Sequence, residues 1–213
     1  MLRLEIRSIL IGIQRTQGIS VSHLLLILVS ASLVNNLVLH HLIGVAPGVG
    51  LSRKIDVATG LSLVTAVALT VATPVTYAVN RALSGAAGLA HLQLLTFVLV
   101  IVMLVLSGAA VLARLRPEWD DRYRAFVPLV LANSALLGVA LLNAGQHHGL
   151  SGSLFYGLGA AAGFGLVVIL VAGLHERLLA ADVPRPFRGS ASLLLALGIL
   201  SMAFMGFTGL AKL

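Results

Sequence analysis

The sequence predicts an all-α polytopic membrane protein with six transmembrane helices. Of its 213 residues, 59% are hydrophobic and only 10% charged, and the mean hydropathy is +1.05. Soluble domains carry about 25% charged residues. The second observation is a set of long stretches without Lys, Arg, Asp or Glu: 16–52, 57–80, 82–113, 125–175 and 189–211. About 20 apolar residues cross a hydrocarbon core of ~30 Å. The fourth stretch is too long for one crossing and contains the polar run Asn143-Ala144-Gly145-Gln146-His147-His148-Gly149, which reads as a turn between two helices and makes six.

Ahead of the first span, Arg3, Glu5, Arg7 and Arg15 are too closely set for the apolar region of a cleavable signal. Residues 1–18 read as an N-terminal extension at the membrane interface, followed by one membrane domain over 19–213. The net charge of +7 does not point to nucleic acid, because the basic residues sit in short loops, where they set topology. The side holding the N-terminus receives five of them: Arg3, Arg7, Arg15, Arg81 and Lys212. The opposite side receives nine: Arg53, Lys54, Arg114, Arg116, Arg122, Arg124, Arg177, Arg185 and Arg188. Cytoplasmic loops hold the basic excess, so both termini are expected outside.

The two halves resemble each other. Thr59-Gly60-Leu61 is expected to open the second helix and Tyr156-Gly157-Leu158 the fifth. Each follows an Asn-bearing apolar segment, Val34-Asn35-Asn36-Leu37 or Ala132-Asn133-Ser134-Ala135. With an odd number of helices per half, the second must insert upside down. The expectation is two inverted repeats, about 19–113 and 125–213, with a site near the midplane where they meet. The competing reading is that any two apolar, glycine-bearing helices look alike.

Both Asn-bearing segments are expected to break. Gly44-Val45-Ala46-Pro47-Gly48-Val49-Gly50 cannot continue a regular helix, so the first span should break or re-enter at about residue 44. Asn133 and Ser134 lie in mid-span of the fourth helix, where amides commonly hydrogen-bond a broken backbone. No carboxylate or Lys lies within a span. A self-contained proton relay is therefore disfavoured, and an ion path would use backbone carbonyls with Asn35, Asn36, Gly44, Pro47, Asn133, Thr70 or Thr73. A kink with satisfied polar groups competes equally with that reading.

Imidazole is a common metal ligand, which makes His41 a weak metal candidate. His40 and His41 are adjacent and point about 100° apart on a helix, so they do not suit one shared ion. His147 and His148 read as solvated loop residues. Gly159 and Gly163 form a small-xxx-small pair that fits either a partner protein or packing within the chain. The loops over 114–124 and 175–190 are rich in Arg, and the second holds Pro184 and Pro186, as expected of a docking surface. The absence of Cys removes thiolate chemistry, and no nucleotide loop or catalytic triad is present.

Longer motifs then become specific. Asn35-Asn36-Leu37-Val38-Leu39, Gly44-x-x-Pro47, Pro128-Leu129 and the run Asn133-x-Ala135-x-Leu137-Gly138 resemble the A-type membrane subunit of Rnf complexes and its Nqr counterpart. Tyr156-Gly157, Glu176-Arg177-Leu178, Ala181-Asp182-Val183-Pro184-x-Pro186-Phe187-Arg188-Gly189 and Ala203-Phe204-Met205-Gly206-Phe207-x-Gly209-Leu210 carry the resemblance across about 20–213.

The resemblance implies a subunit, with periplasmic termini in the bacterial inner membrane, of a complex that couples electron transfer to Na⁺ or H⁺ translocation, with scaffold and gating roles and no catalysis alone. It also implies a homologous E-type partner of opposite orientation, other flavin and iron–sulfur subunits, and a [2Fe–2S] cluster held by cysteines of both membrane subunits. Here the family's cysteine positions fall on Ala46 and Ser134, so the ligands are lost. Three accounts fit: a divergent complex that lost the cluster, a metal held by other donors such as His41, or deliberate replacement of the cysteines. The first is preferred, because both substitutions are small and the flanking motif is intact. The alternative function is a non-redox inverted-repeat transporter of an ion or small solute.

Overall fold

A computed structural model describes residues 21–41, 43–44, 55–85, 92–115, 120–146, 149–184 and 187–207. Among these the chain is helical, without strands. The first segment is α1 (Val21–Val29), a π turn (Ser30–Val34) and a short α2 (Leu37–His41). Then come α3 (Ile55–Gly85), α4 (Gln93–Leu115), α5 (Asp120–Leu131), α6 (Ser134–Gly145), α7 (Leu150–Ala180) and α8 (Ser190–Met205). The expected 1–18 extension lies outside the described residues, as do Ala46, Pro47, His147 and His148.

The six uncharged segments are thus all helical, but they differ in how they can cross a membrane. The helices over 55–83, 93–114 and 150–180 are long and apolar enough to do so alone. Helices α5 and α6 are bent by 49° at a short break and make one further span if taken together. The helices over 22–34 and 190–205 are shorter, because the first is interrupted at Asn35-Asn36 and α8 has 16 residues, about 24 Å at 1.5 Å each. The outer faces are apolar: Leu95, Leu99 and Met103 on α4, and Ile199 and Met202 on α8, are each at least 60% exposed. Such continuous apolar surface belongs in lipid.

Boundaries moved in three places. Thr59-Gly60 and Tyr156-Gly157 lie inside α3 and α7, which start earlier, at Ile55 and Leu150. The Arg-rich loops are shorter than expected, since helix resumes at Asp120 and α7 continues to Ala180. The first span breaks near residue 44 as expected, with α2 ending at His41 and Gly44 at φ +82°, and it also breaks sooner. Its regular winding is already lost in the π turn at Ser30, where the Asn35 N–H donates to the Ser30 carbonyl at 2.7 Å.

Helices α3 and α7 form the centre and run antiparallel. The Ile55 N–H donates to Glu176 Oε1 at 3.0 Å, Ser62 faces Gly165, and Thr73 faces Gly157. In lipid no hydrophobic force drives helices together, so close approach depends on small residues. A Cβ at Gly157 would lie 2.9 Å from Thr73, one at Gly159 would lie 2.5 Å from the Leu28 carbonyl, and one at Gly163 would lie 2.7 Å from the Ser32 carbonyl. The Gly159/Gly163 pair therefore packs within the chain, against α1 and the π turn. Because Leu28 meets Gly159 and Ser32 meets Gly163, α1 runs parallel to α7. At the other end of the molecule, Gly60 of α3 packs against the Phe126 ring of α5.

These contacts form a reciprocal pattern. The first segment packs on α7, and the α5–α6 segment packs on α3. Helix α4 packs on α3 and on α5–α6, while α8 packs on α7 and on the first segment. Exchanging the first three segments with the last three leaves this pattern unchanged.

Gly163→Ala should destabilise the protein by about 1–3 kcal/mol through overpacking, whereas Gly173→Ala, whose Cβ meets nothing within 4 Å, should not. Size-exclusion chromatography after graded heating in detergent reads the difference. Equal melting of the two variants would show that the glycine contact is not close.

Candidate functional site

A helix can stop inside a membrane only if other groups take over its backbone hydrogen bonds. At the first break Asn36 does this. Its Oδ1 accepts from the N–H groups of Val38 (3.0 Å) and Leu39 (3.4 Å), while its Nδ2 donates to the Ser32 carbonyl (2.8 Å) and to the Gly163 carbonyl of α7 (3.1 Å). The side chain is 1% exposed and both ends of its amide are used. One consequence is that Val38 and Leu39 no longer donate to the carbonyls of Val34 and Asn35, four residues back.

Asn133 plays the same part at the second break. Its Oδ1 accepts from the Ala135 N–H at 3.0 Å, capping α6, and the Leu136 N–H is drawn to the Asn133 carbonyl at 3.4 Å. The carbonyls of Leu131 and Ala132 thereby lose their helical donors. The Nδ2 of Asn133 is buried and has no partner among the described residues.

The two breaks touch. The Gly44 N–H donates to Ser134 Oγ at 3.0 Å, and Gly44 adopts φ +82°, a conformation that costs glycine little. A Cβ at residue 44 would lie 2.8 Å from the Ala135 Cβ, 3.1 Å from Asn133 Oδ1 and 3.1 Å from the Phe164 ring. The structure therefore brings together Gly44, Asn133 and Ser134, while Asn36 meets Gly163 of α7, next in the chain to the Phe164 ring that faces Gly44. Ser134 itself remains exposed on the outer surface of the chain. Asn35 turns away from this group and donates from Nδ2 to Ser30 Oγ at 3.2 Å.

The threonines named from the sequence are engaged locally. Thr70 Oγ1 donates to the Ala66 carbonyl (2.8 Å) and Thr73 Oγ1 to the Leu69 carbonyl (2.7 Å), each within its own helix. Sequence reasoning missed Ser62 and Thr65 of α3, whose buried hydroxyls lack partners among the described residues. It also missed Asn143, which donates from Nδ2 to Ser153 Oγ at 3.1 Å and ties α6 to α7. Hydroxyls in otherwise apolar helices are a faint signal, since most return to their own backbone.

Known proteins share this sequence along nearly its whole length. The family described as Rnf-Nqr subunit, membrane protein, matches residues 24–211. The chain belongs to this family. It is 45% identical over 187 residues to the A subunit of the ion-translocating oxidoreductase complex of Thioalkalivibrio sulfidiphilus, covering 88% of this chain and 97% of that one. It is 45% identical over 188 residues to the protein of that name from Edwardsiella ictaluri, and 44% identical over 187 residues to that of Pseudoalteromonas translucida, with the same shares covered.

The donor set can be tested against the cluster that the sequence resemblance implies. Iron–sulfur clusters need soft, anionic thiolates. This chain has no Cys, Ala46 offers no donor atom, and the hydroxyl of Ser134 is already the acceptor for Gly44. These residues do not fit a [2Fe–2S] ligand pair. The rings of His40 and His41 lie 4.8 Å apart at 89°, and among the described residues no group of three His, Cys, Asp or Glu is placed to hold a metal.

Asn36→Leu strands two N–H donors and two carbonyl acceptors and should cost about 3 kcal/mol or more, against roughly 1–2 kcal/mol for Asn133→Leu. Unfolding in mixed micelles of rising SDS fraction measures both. An equal loss in the two variants contradicts the unequal bonding of the two amides.

Proposed function

We propose that this chain is the A-type membrane subunit of an Rnf/Nqr-like complex that couples electron transfer to Na⁺ or H⁺ translocation across the bacterial inner membrane. The observation that carries the reading is the near full-length similarity to chains named as the A subunit of an ion-translocating oxidoreductase complex. The charge count supports termini on the periplasmic side. The reciprocal packing of the two halves, with α3 and α7 antiparallel, supports an inverted repeat over about 19–113 and 125–213. A homologous E-type subunit is the partner that would cover the exposed face at Ser134.

The chain's own contribution is neutral and oxygen-rich. Carbonyls released at Val34, Asn35, Leu131 and Ala132 can replace part of an ion's hydration, as backbone carbonyls do in filters. Without a buried carboxylate such a site binds weakly, which suits passage more than storage. The Ser134 hydroxyl holds the two breaks in register through Gly44, a scaffold and gating role in place of cluster ligation.

Purification in mild detergent tests the assignment: flavin and iron–sulfur subunits should accompany this chain, and a homo-oligomer without them contradicts it. In that complex Ser134→Ala should leave the EPR spectrum of the reduced state unchanged. Loss of a [2Fe–2S] signal in this variant would show that Ser134 ligates iron.

A further inference from the structure

Beside α1, near Gln146 at the end of α6, lies a cleft of about 220 Å³ lined by Leu26 and Ile27 together with the polar side chains of His23, Ser30, Asn35, Gln146 and Tyr156. We propose that this cleft is an outward-facing aqueous vestibule that delivers a hydrated monovalent cation to the break in the first span. The proposal takes its orientation from the topology proposed above, in which the α6–α7 turn lies outside.

Depth is the first argument. His23 and Gln146 mark the outer end; Ser30 stands seven residues beyond His23, roughly 10 Å at 1.5 Å per residue, and Asn35 lies a further π turn beyond it. Both lie well inside a ~30 Å hydrocarbon core. Ser30 and Asn35 therefore present polar groups at a level where lipid cannot solvate them, and such groups face water or protein. The volume holds several waters, and Ser30 and Asn35 at its inner end keep acceptor oxygens for them.

Chemistry is the second. The lining has no Lys or Arg, so no fixed positive charge repels a cation, and no carboxylate that would hold one tightly. Oxygen is available at its inner end. The bond from Asn35 Nδ2 to Ser30 Oγ leaves the Asn35 carboxamide oxygen as an acceptor, and the Asn35 backbone carbonyl has lost its helical donor, the Leu39 N–H, to Asn36. Neutral oxygens suit an alkali cation. A divalent ion, which dehydrates reluctantly, would need carboxylates.

The absence of Cys makes the test direct, because a single introduced thiol is the only one in this chain. In spheroplasts carrying the assembled complex, Ser30→Cys and Asn35→Cys are treated from outside with a membrane-impermeant trimethylammonium methanethiosulfonate, and modification of this chain is followed by mass. Leu25→Cys, on an apolar surface position that is 51% exposed, serves as the lipid-facing control. Both vestibule thiols should react about tenfold faster than the control or better, since thiol reactivity requires access to water. They should also react faster with the cationic reagent than with an anionic sulfonatoethyl one. Rates equal to that of Leu25→Cys overturn the vestibule, and equal rates for the two reagents overturn its preference for cations.

Gly149→Cys and Ala181→Cys mark the outer and cytoplasmic surfaces independently. If Gly149→Cys reacts only from the cytoplasmic side, the topology is wrong. If it reacts from outside while position 30 does not, the vestibule alone is wrong.

Discussion

Hydrocarbon offers no partner for a backbone N–H or C=O, so a helix that stops in mid-membrane must find its donors and acceptors within the protein. Asn36 satisfies this condition with one side chain. Its oxygen starts α2, one amide hydrogen closes the preceding π turn on Ser32, and the other reaches across to Gly163 on α7. The break and the packing of the first segment on the central helix are therefore one feature. That contact in turn requires glycine, because a Cβ at residue 163 would fall 2.8 Å from the same amide nitrogen. The parallel course of α1 and α7, and with it the position of Gly44 against the second break, follows from this junction.

The two halves reuse the device unequally. Both breaks are capped by an Asn carboxamide oxygen, but only Asn36 also anchors its nitrogen to a neighbouring helix, and the nitrogen of Asn133 is left without a described partner. Near-symmetry with one loose member fits a scaffold in which one break is locked into the core and the other can respond to what lies against it. Ser134 belongs to the looser side. Its hydroxyl serves the Gly44 N–H and sits at the outer surface of the chain, at the position where the family resemblance implies a cysteine. A hydroxyl at that position is a hydrogen-bond acceptor, where a thiolate would be an iron ligand.

Much of the fold was legible in the residues. Charge-free stretches located all six helical segments, because a Lys or Asp in hydrocarbon is costly and their absence is itself a signal. The polar run from Asn143 to Gly149 marked the fourth and fifth segments apart. Of the site, Asn36, Gly44, Asn133 and Ser134 could be named because amides and glycines are out of place in an apolar span. The break expected near Gly44 is present, and a further one at Ser30 to Asn36 precedes it, because the Asn36 side chain interrupts the helix before Gly44 ends it. The boundaries at Gly60 and Gly157 were misplaced for the opposite reason: small residues that resemble helix starts are contact points inside α3 and α7.

By itself, then, the sequence determined the membrane class, the six segments, the family and the absence of any thiolate, all of which depend on residue type and spacing along the chain. The tertiary structure decided which groups meet. Whether Asn36 turns to Gly163 while Asn35 turns to Ser30, whether Gly159 faces a partner or the chain's own α1, and whether Ser134 is bound or free all depend on the rotation of one helix against another. A rotation of one residue, about 100°, exchanges these outcomes without altering the hydropathy of any segment.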